Sequence, residues 1–149
     1  MNFVVPSLDI ALNHLKKLNS NTKPLWGKMN AQQMVEHLSQ TFMVAIEEIE
    51  VRLVIKDEHV ERSQAFRDSD KPMPRDFKID FAPENPPLRN ASLELAIEEF
   101  NSLWLRYEAF FQEAGKQTLH PTFGMNDFKG WQQIHSKHLT HHFEQFGIL

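Results

Sequence analysis

Apolar residues recur at intervals of three and four along most of the chain, and this spacing is typical of helices that bury one face. Four stretches follow it, with predicted bounds of about 7–18, 30–50, 92–114 and 126–147. Asn30, followed three residues later by Gln33, has the pattern of a capping box, and Asn126 is the predicted cap of the last helix. Gly147 is the residue type that commonly ends a helix. The sequence therefore predicts an all-α fold built on four helices.

The segment between the second and third predicted helices has a different pattern. Residues 51–55 alternate like a short strand, residues 57–66 can form a brief helix, and residues 77–81 alternate again. Five of the eight prolines lie between positions 72 and 87. Adjacent antiparallel helices are usually joined by roughly 2–8 residues. We therefore expect this long, partly irregular connection to cross a four-helix bundle from one end to the other.

Composition narrows the classes of function. The 149 residues carry 16 basic and 20 acidic side chains, for a formal charge of −4, which argues against binding to nucleic acid or to an anionic membrane. The N-terminus has no basic export signal, and no apolar run approaches the roughly 18 residues of a membrane span. We expect one cytoplasmic domain over residues 1–149. The chain has no cysteine, which excludes disulfides, cysteine-bound zinc and a thiol nucleophile of its own.

Four of the eight histidines lie in the last predicted helix, and their register matters more than their number. At about 100° per residue, His135, His138, His142 and Gln145 fall inside the arc that carries the apolar residues around Trp131. A buried imidazole needs a partner for its polar ring nitrogens, and few other polar residues are available there. A divalent metal ion satisfies several of these nitrogens at once.

His138 and His142 are separated by one helical turn, so both side chains can reach a single ion at roughly 2.0–2.1 Å. His37 is the only histidine of the second predicted helix and lies at the edge of its apolar stripe. The three residues reach the same level if the second and fourth helices are antiparallel. With the long crossover, this predicts an up-down-down-up order and a metal site formed by His37, His138 and His142.

Three further polar residues are candidates for the surroundings of this site. His135 either supports the ligands or stacks on Trp131, and His141 faces either a neighbouring helix or solvent. Gln145 is the better candidate for orienting a ligand. Glu36 and Glu144 neighbour the ligands in sequence but point away at helical spacing, so no general base is identified. The remaining histidines have no partner pattern and are expected on the surface or in loops: His14, His59 and His120.

Residues 138–145, His-Leu-Thr-His-His-Phe-Glu-Gln, and residues 29–37, which end in Glu-His, together resemble the DinB/YfiT-like metalloenzyme superfamily. Shorter stretches at 23–30, 70–74, 87–94 and 120–124 resemble one bacterial subfamily of it. That subfamily is similar to a domain sometimes associated with oxepin-CoA hydrolase of phenylacetate breakdown. The resemblance implies an up-down-down-up four-helix bundle, the ligands His37, His138 and His142, and frequent dimers. Characterised relatives include transferases and isomerases that use bacillithiol, mycothiol or glutathione.

Two functions follow from these observations. In the first, the protein is a metal-dependent transferase or hydrolase, and open positions on zinc or nickel take a water or a low-molecular-weight thiol that attacks a small electrophilic substrate. In the second, a metal or a hydrogen-bonded histidine network only stabilises the bundle, which binds another protein or a second copy of itself. An accessible site with three protein ligands favours the first function, and a closed site with four favours the second.

Overall fold

The computed structural model describes residues 2–75 and 85–149, and these residues are mostly helical. The α-helices are α1 (Leu8–Leu15), α2 (Ala31–Ala45), α3 (Val60–Asp68), α4 (Leu93–Phe110) and α5 (Phe128–Gln145). A 3-10 helix (Asp57–His59) precedes α3, and the antiparallel strands β1 (Thr118–His120) and β2 (Gly124–Asn126) precede α5. No helix within the described ranges is both long and apolar enough to cross a membrane.

The second helix begins as predicted and ends earlier. The Asn30 side chain accepts a hydrogen bond from the backbone of Gln33, and the Gln33 side chain accepts one from the backbone of Asn30, each at 2.8 Å. This reciprocal pair satisfies two of the free amides at the helix start. The predicted end near residue 50 was wrong, because α2 stops at Ala45 and Glu47 adopts a left-handed backbone with φ of 62°.

The predicted all-α fold was incomplete, since β1 and β2 pair Thr118 with Asn126 and His120 with Gly124. Strands of three residues are too short to leave a recognisable alternation in the sequence. The predicted cap of the last helix was also wrong by one position. Asn126 belongs to β2, and Asp127 caps α5 by accepting a hydrogen bond from the Gly130 amide at 2.9 Å.

The connection between α2 and α4 is long and partly irregular, as predicted. The 3-10 helix and α3 confirm the brief helix expected at 57–66. Residues 51–55 form no strand, although the Val54 amide donates to the Pro121 carbonyl at 2.8 Å. The alternation predicted at 77–81 lies outside the described residues.

A hydrophobic cluster joins α1, α2, α4 and α5. Phe42 of α2 lies at its centre, with ring centroids 5.6 Å from Phe100, 4.8 Å from Trp104 and 5.1 Å from Tyr107. These three α4 residues are fully buried, as their helical spacing predicted. The same cluster holds α5 in a fixed register beside α2, and this register positions the histidines.

Candidate metal centre

Helices α2 and α5 bring the three predicted ligands together. The Nε2 atom of His138 lies 2.9 Å from Nε2 of His37 and 3.1 Å from Nε2 of His142. One ligand atom from each residue lies within 4.8 Å of the others. His138 and His142 share one face of α5 because they are one turn apart, and His37 reaches them from α2.

The hydrogen bonds of Gln145 define the tautomer of His142. The Gln145 side-chain amide donates from Nε2 to the Trp26 carbonyl at 3.0 Å, so its Oε1 atom is the one that lies 2.7 Å from Nδ1 of His142. An amide oxygen only accepts, so His142 must carry its hydrogen on Nδ1. Its Nε2 atom therefore presents a lone pair to His37 and His138.

The arrangement of nitrogens fits a divalent metal ion. Nε2 of His138 lies within hydrogen-bond distance of two other nitrogens, yet a neutral ring has one hydrogen and can satisfy only one of them. Ligands at roughly 2.0–2.1 Å from a tetrahedral ion are about 3.3 Å apart. The two separations that involve Nε2 of His138, 2.9 and 3.1 Å, are close to this value. Within the described part of the chain, the group contains no fourth histidine or carboxylate.

Burial keeps the three rings neutral. It lowers the pKa of His37 to about 4, with a smaller contribution from the nearby His141. Burial, together with the neighbouring histidines, holds the pKa values of His138 and His142 well below the ordinary value of 6.5. Neutral imidazoles have the free lone pairs that metal ligation requires, so the cluster is ready for a metal at neutral pH.

Two further side chains adjoin the ligands. The Thr41 hydroxyl lies 3.4 Å from Nδ1 of His138, one turn along α2 from His37. The His141 ring is edge-on to the rings of His142, at 4.8 Å, and Trp26, at 5.7 Å. It also hydrogen bonds to the backbone of Met73. Of the two alternatives for His141, the structure therefore favours contact with neighbouring protein over full exposure to solvent.

His135 lies outside the metal-ligand group. Its ring stacks on Phe42 with centroids 3.8 Å apart and planes 6° from parallel, and it also stacks on Trp131 at 5.7 Å. It is almost fully buried, and burial lowers its pKa to about 3. Its Nε2 atom has no hydrogen-bond partner among the described residues. Of the two predicted alternatives, the structure favours stacking.

Glu36 and Glu144, which neighbour the ligands in sequence, interact with the surrounding loops. Glu36 is buried and accepts hydrogen bonds from the amides of Arg89, at 2.6 Å, and Asn90, at 3.1 Å. Burial raises the pKa of Glu36, but hydrogen bonds from Gln32, Arg89 and Asn90 outweigh this effect and hold it below its usual value. Glu144 lies 3.9 Å from the guanidinium of Arg75.

Sequence reasoning missed the segment 69–75, which runs along α5 beside the cluster. Lys137 donates to the carbonyls of Ser69, at 2.7 Å, and Lys71. Further along the segment, Arg75 stacks over the Trp26 ring at 4.0 Å. The sequence offered only the family resemblance of residues 70–74, which does not indicate this contact.

The expectation for His120 was wrong, because this residue is buried in β1. Its Nδ1 atom accepts hydrogen bonds from the amides of Thr122, at 3.0 Å, and Phe123, at 3.2 Å. Burial lowers its pKa to about 3. The neutral ring thus stabilises the turn that joins β1 to β2. The sequence His-Pro-Thr-Phe-Gly at 120–124 contains a turn signal, but it does not reveal this role.

No curated protein and no solved structure matches the chain. One family model, described as a protein of unknown function (DUF1569), matches residues 1–147. Because this match spans nearly the whole chain, the protein belongs to the DUF1569 family.

Proposed function

We propose that the protein is a divalent-metal-dependent enzyme, a transferase or hydrolase that acts on a small electrophilic substrate. The observation that carries the proposal is the convergence of three Nε2 atoms at one point between α2 and α5. The absence of a fourth protein ligand in the described ranges supports a catalytic site, since structural zinc sites usually have four protein ligands and catalytic ones three.

The residues of the proposed site have distinct roles. His37, His138 and His142 hold the ion, zinc or nickel by ligand type, and Gln145 keeps His142 in the tautomer that can bind it. When bound, the ion supplies Lewis-acid chemistry, lowering the pKa of a water or a thiol so that it can attack an electrophile. The chain has no cysteine, so any thiol comes from a low-molecular-weight cofactor.

We also propose that α1, α2, α4 and α5 form an up-down-down-up four-helix bundle of the DinB-like type, which assembles as a homodimer. The shared hydrophobic cluster and the long connection between α2 and α4 support this arrangement. A crystal structure would test the helix order, and light scattering would test the dimer.

Elemental analysis of untagged protein, purified without chelator, tests the metal site. We expect about one equivalent of metal per chain, and loss of it in the His138→Ala and His142→Ala variants with helical content retained. His59→Ala is the matched control, because that side chain is 42% exposed and lies outside the cluster. It should keep its metal.

The same experiment discriminates between the two functions. If the wild type binds metal and both the His138→Ala and His142→Ala variants do not, the enzyme proposal is supported, and low-molecular-weight thiols should then be screened with electrophilic substrates. Wild-type protein that takes up neither zinc nor nickel after soaking would refute the enzyme proposal. The histidines would then form a structural network, and a non-catalytic interaction module would become the better explanation.

A further inference from the structure

The loop of Leu25, Trp26 and Gly27 lies against the C-terminal end of α5, next to the metal ligands. Two hydrogen bonds hold it there, and both involve Gln145. The Leu25 amide donates to the Gln145 backbone carbonyl at 2.7 Å, and the Gln145 side-chain amide donates to the Trp26 carbonyl at 3.0 Å. The second of these bonds orients the same amide group whose oxygen accepts from His142.

Gly27 allows this close approach. A Cβ atom built at this position would lie 2.7 Å from Nε2 of Gln145, closer than real Cβ contacts come. The backbone of Gly27 also has a φ of 82°, which glycine adopts more readily than other residues. An alanine here would displace the Gln145 amide, because that amide is the end of a flexible side chain and moves more easily than the backbone around it.

We propose that the loop 25–27 is a positioning element of the metal centre and that Gly27 acts through Gln145. Because Gly27 has no side chain, the Trp26 carbonyl can accept a hydrogen bond from the Gln145 side-chain amide and orient it. The oxygen of that amide then accepts the hydrogen on Nδ1 of His142, which leaves the Nε2 lone pair of His142 free to bind the ion. This inference rests on the proposed metal site. Partners of ligating histidines typically change metal affinity by about 10–100-fold when they are altered.

Zinc affinity, measured by competition with a chromophoric chelator, tests the proposal in intact protein. We expect Gly27→Ala to weaken zinc binding by about tenfold or more. Gly115→Ala is the matched control, because Gly115 has nearly the same φ, 80°, but a Cβ atom added there would meet no atom within 4 Å. It should bind zinc like the wild type. Circular dichroism of both variants shows whether each remains folded.

A double-mutant cycle tests whether Gly27 acts through Gln145. In a Gln145→Ala background the amide that the new methyl group would displace is gone, so Gly27→Ala should cause no further loss of affinity. Losses that multiply in the double variant would overturn the proposal. So would a Gly27→Ala variant that binds zinc as tightly as Gly115→Ala.

The tautomer of His142 gives a readout that needs no metal. Long-range 1H–15N NMR of the metal-free protein should show hydrogen on Nδ1 of His142 in the wild type and a mixture of tautomers in Gly27→Ala. An unchanged tautomer in the variant would refute the positioning role. Failure of the wild type to bind zinc would instead refute the proposed metal site, so the two failures are distinguishable.

Discussion

Helix α5 carries two kinds of histidine, which differ in the partners of their ring nitrogens. The Nε2 atom of His138 lies 2.9 Å from that of His37 and 3.1 Å from that of His142. His135, one turn earlier, is enclosed by aromatic rings and has an unpartnered Nε2 atom among the described residues. Burial keeps the rings of these three residues, and that of His37 on α2, neutral by lowering their pKa values.

The difference shows that burial and helical register do not by themselves place a histidine in the cluster of His37, His138 and His142. His135 is at least as buried as His142 and shares its face of α5. What separates them is the opposite helix: the α2 residue facing His135 is the apolar Phe42, whereas His37 faces His138 and His142. Substitutions confined to one side or the other test this division between an aromatic region, around His135 and Phe42, and a candidate metal region, formed by His37, His138 and His142.

The largest effect is expected from Phe42→Ala, which removes the ring on which His135 stacks. Phe42 is 1% exposed and contacts three aromatic residues of α4, so its truncation should lower the free energy of unfolding by about 3–5 kcal/mol. Urea denaturation measures the change. Leu105→Ala, at a side chain 53% exposed on α4, is the control and should cost under about 0.5 kcal/mol.

The next largest effect is stabilisation by metal. Zinc at a hundred times its dissociation constant should raise the free energy of unfolding by about 2.7 kcal/mol. Urea titrations with and without zinc should show this increase in the wild type and in His135→Phe. They should show none in His138→Ala. Equal stabilisation of both variants would mean that the two regions are not functionally distinct.

Lowering the pH should destabilise the protein through His135, in the aromatic region. His135 has a pKa of about 3 in the folded protein but an ordinary value near 6.5 when unfolded, so below pH 6.5 only the unfolded chain takes up this proton. This group therefore leaves the free energy of unfolding unchanged above pH 6.5. Below pH 6.5 it lowers the free energy of unfolding by about 1.4 kcal/mol per pH unit as the pH drops toward 3.

The measurement compares urea unfolding of wild-type protein and His135→Phe, both with chelator, between pH 7.5 and 5. The variant keeps an aromatic ring against Phe42 and cannot titrate, so its stability should depend less steeply on pH below 6.5. Parallel curves for the two proteins would contradict the assignment. The other histidines with lowered pKa values are present in both proteins, so the protons that they take up on unfolding largely cancel in the comparison: His37, His120, His138 and His142.

Helical periodicity was sufficient to predict that the chain is mostly helical and that His138 and His142 share one face of the last helix. The capping box at Asn30 and the one-turn spacing of His138 and His142 are local properties, so the sequence contains them directly. The early end of α2 at Ala45 was missed because Ile49 continues the apolar spacing while packing on the core from a turn.

The partners of the ligands were harder to predict, because they come from distant parts of the chain. Gln145 was identified from its place on α5, but its partner Trp26 is 119 positions away. Spacing along one helix identifies candidate ligands, and only tertiary structure identifies what orients them.

The smallest effect is expected at Thr41, which adjoins His138 as Gln145 adjoins His142. The Thr41 hydroxyl is 3.4 Å from Nδ1 of His138, a long contact beside the 2.7 Å bond between Gln145 and His142. Thr41→Val keeps the shape and removes the hydroxyl, so zinc affinity should fall by about tenfold or less, at the low end of the range for partners of ligating histidines. Chelator competition should therefore rank the variants Gln145→Ala below Thr41→Val in affinity. The reverse order would mean that His138, rather than His142, depends most on its hydrogen-bond partner.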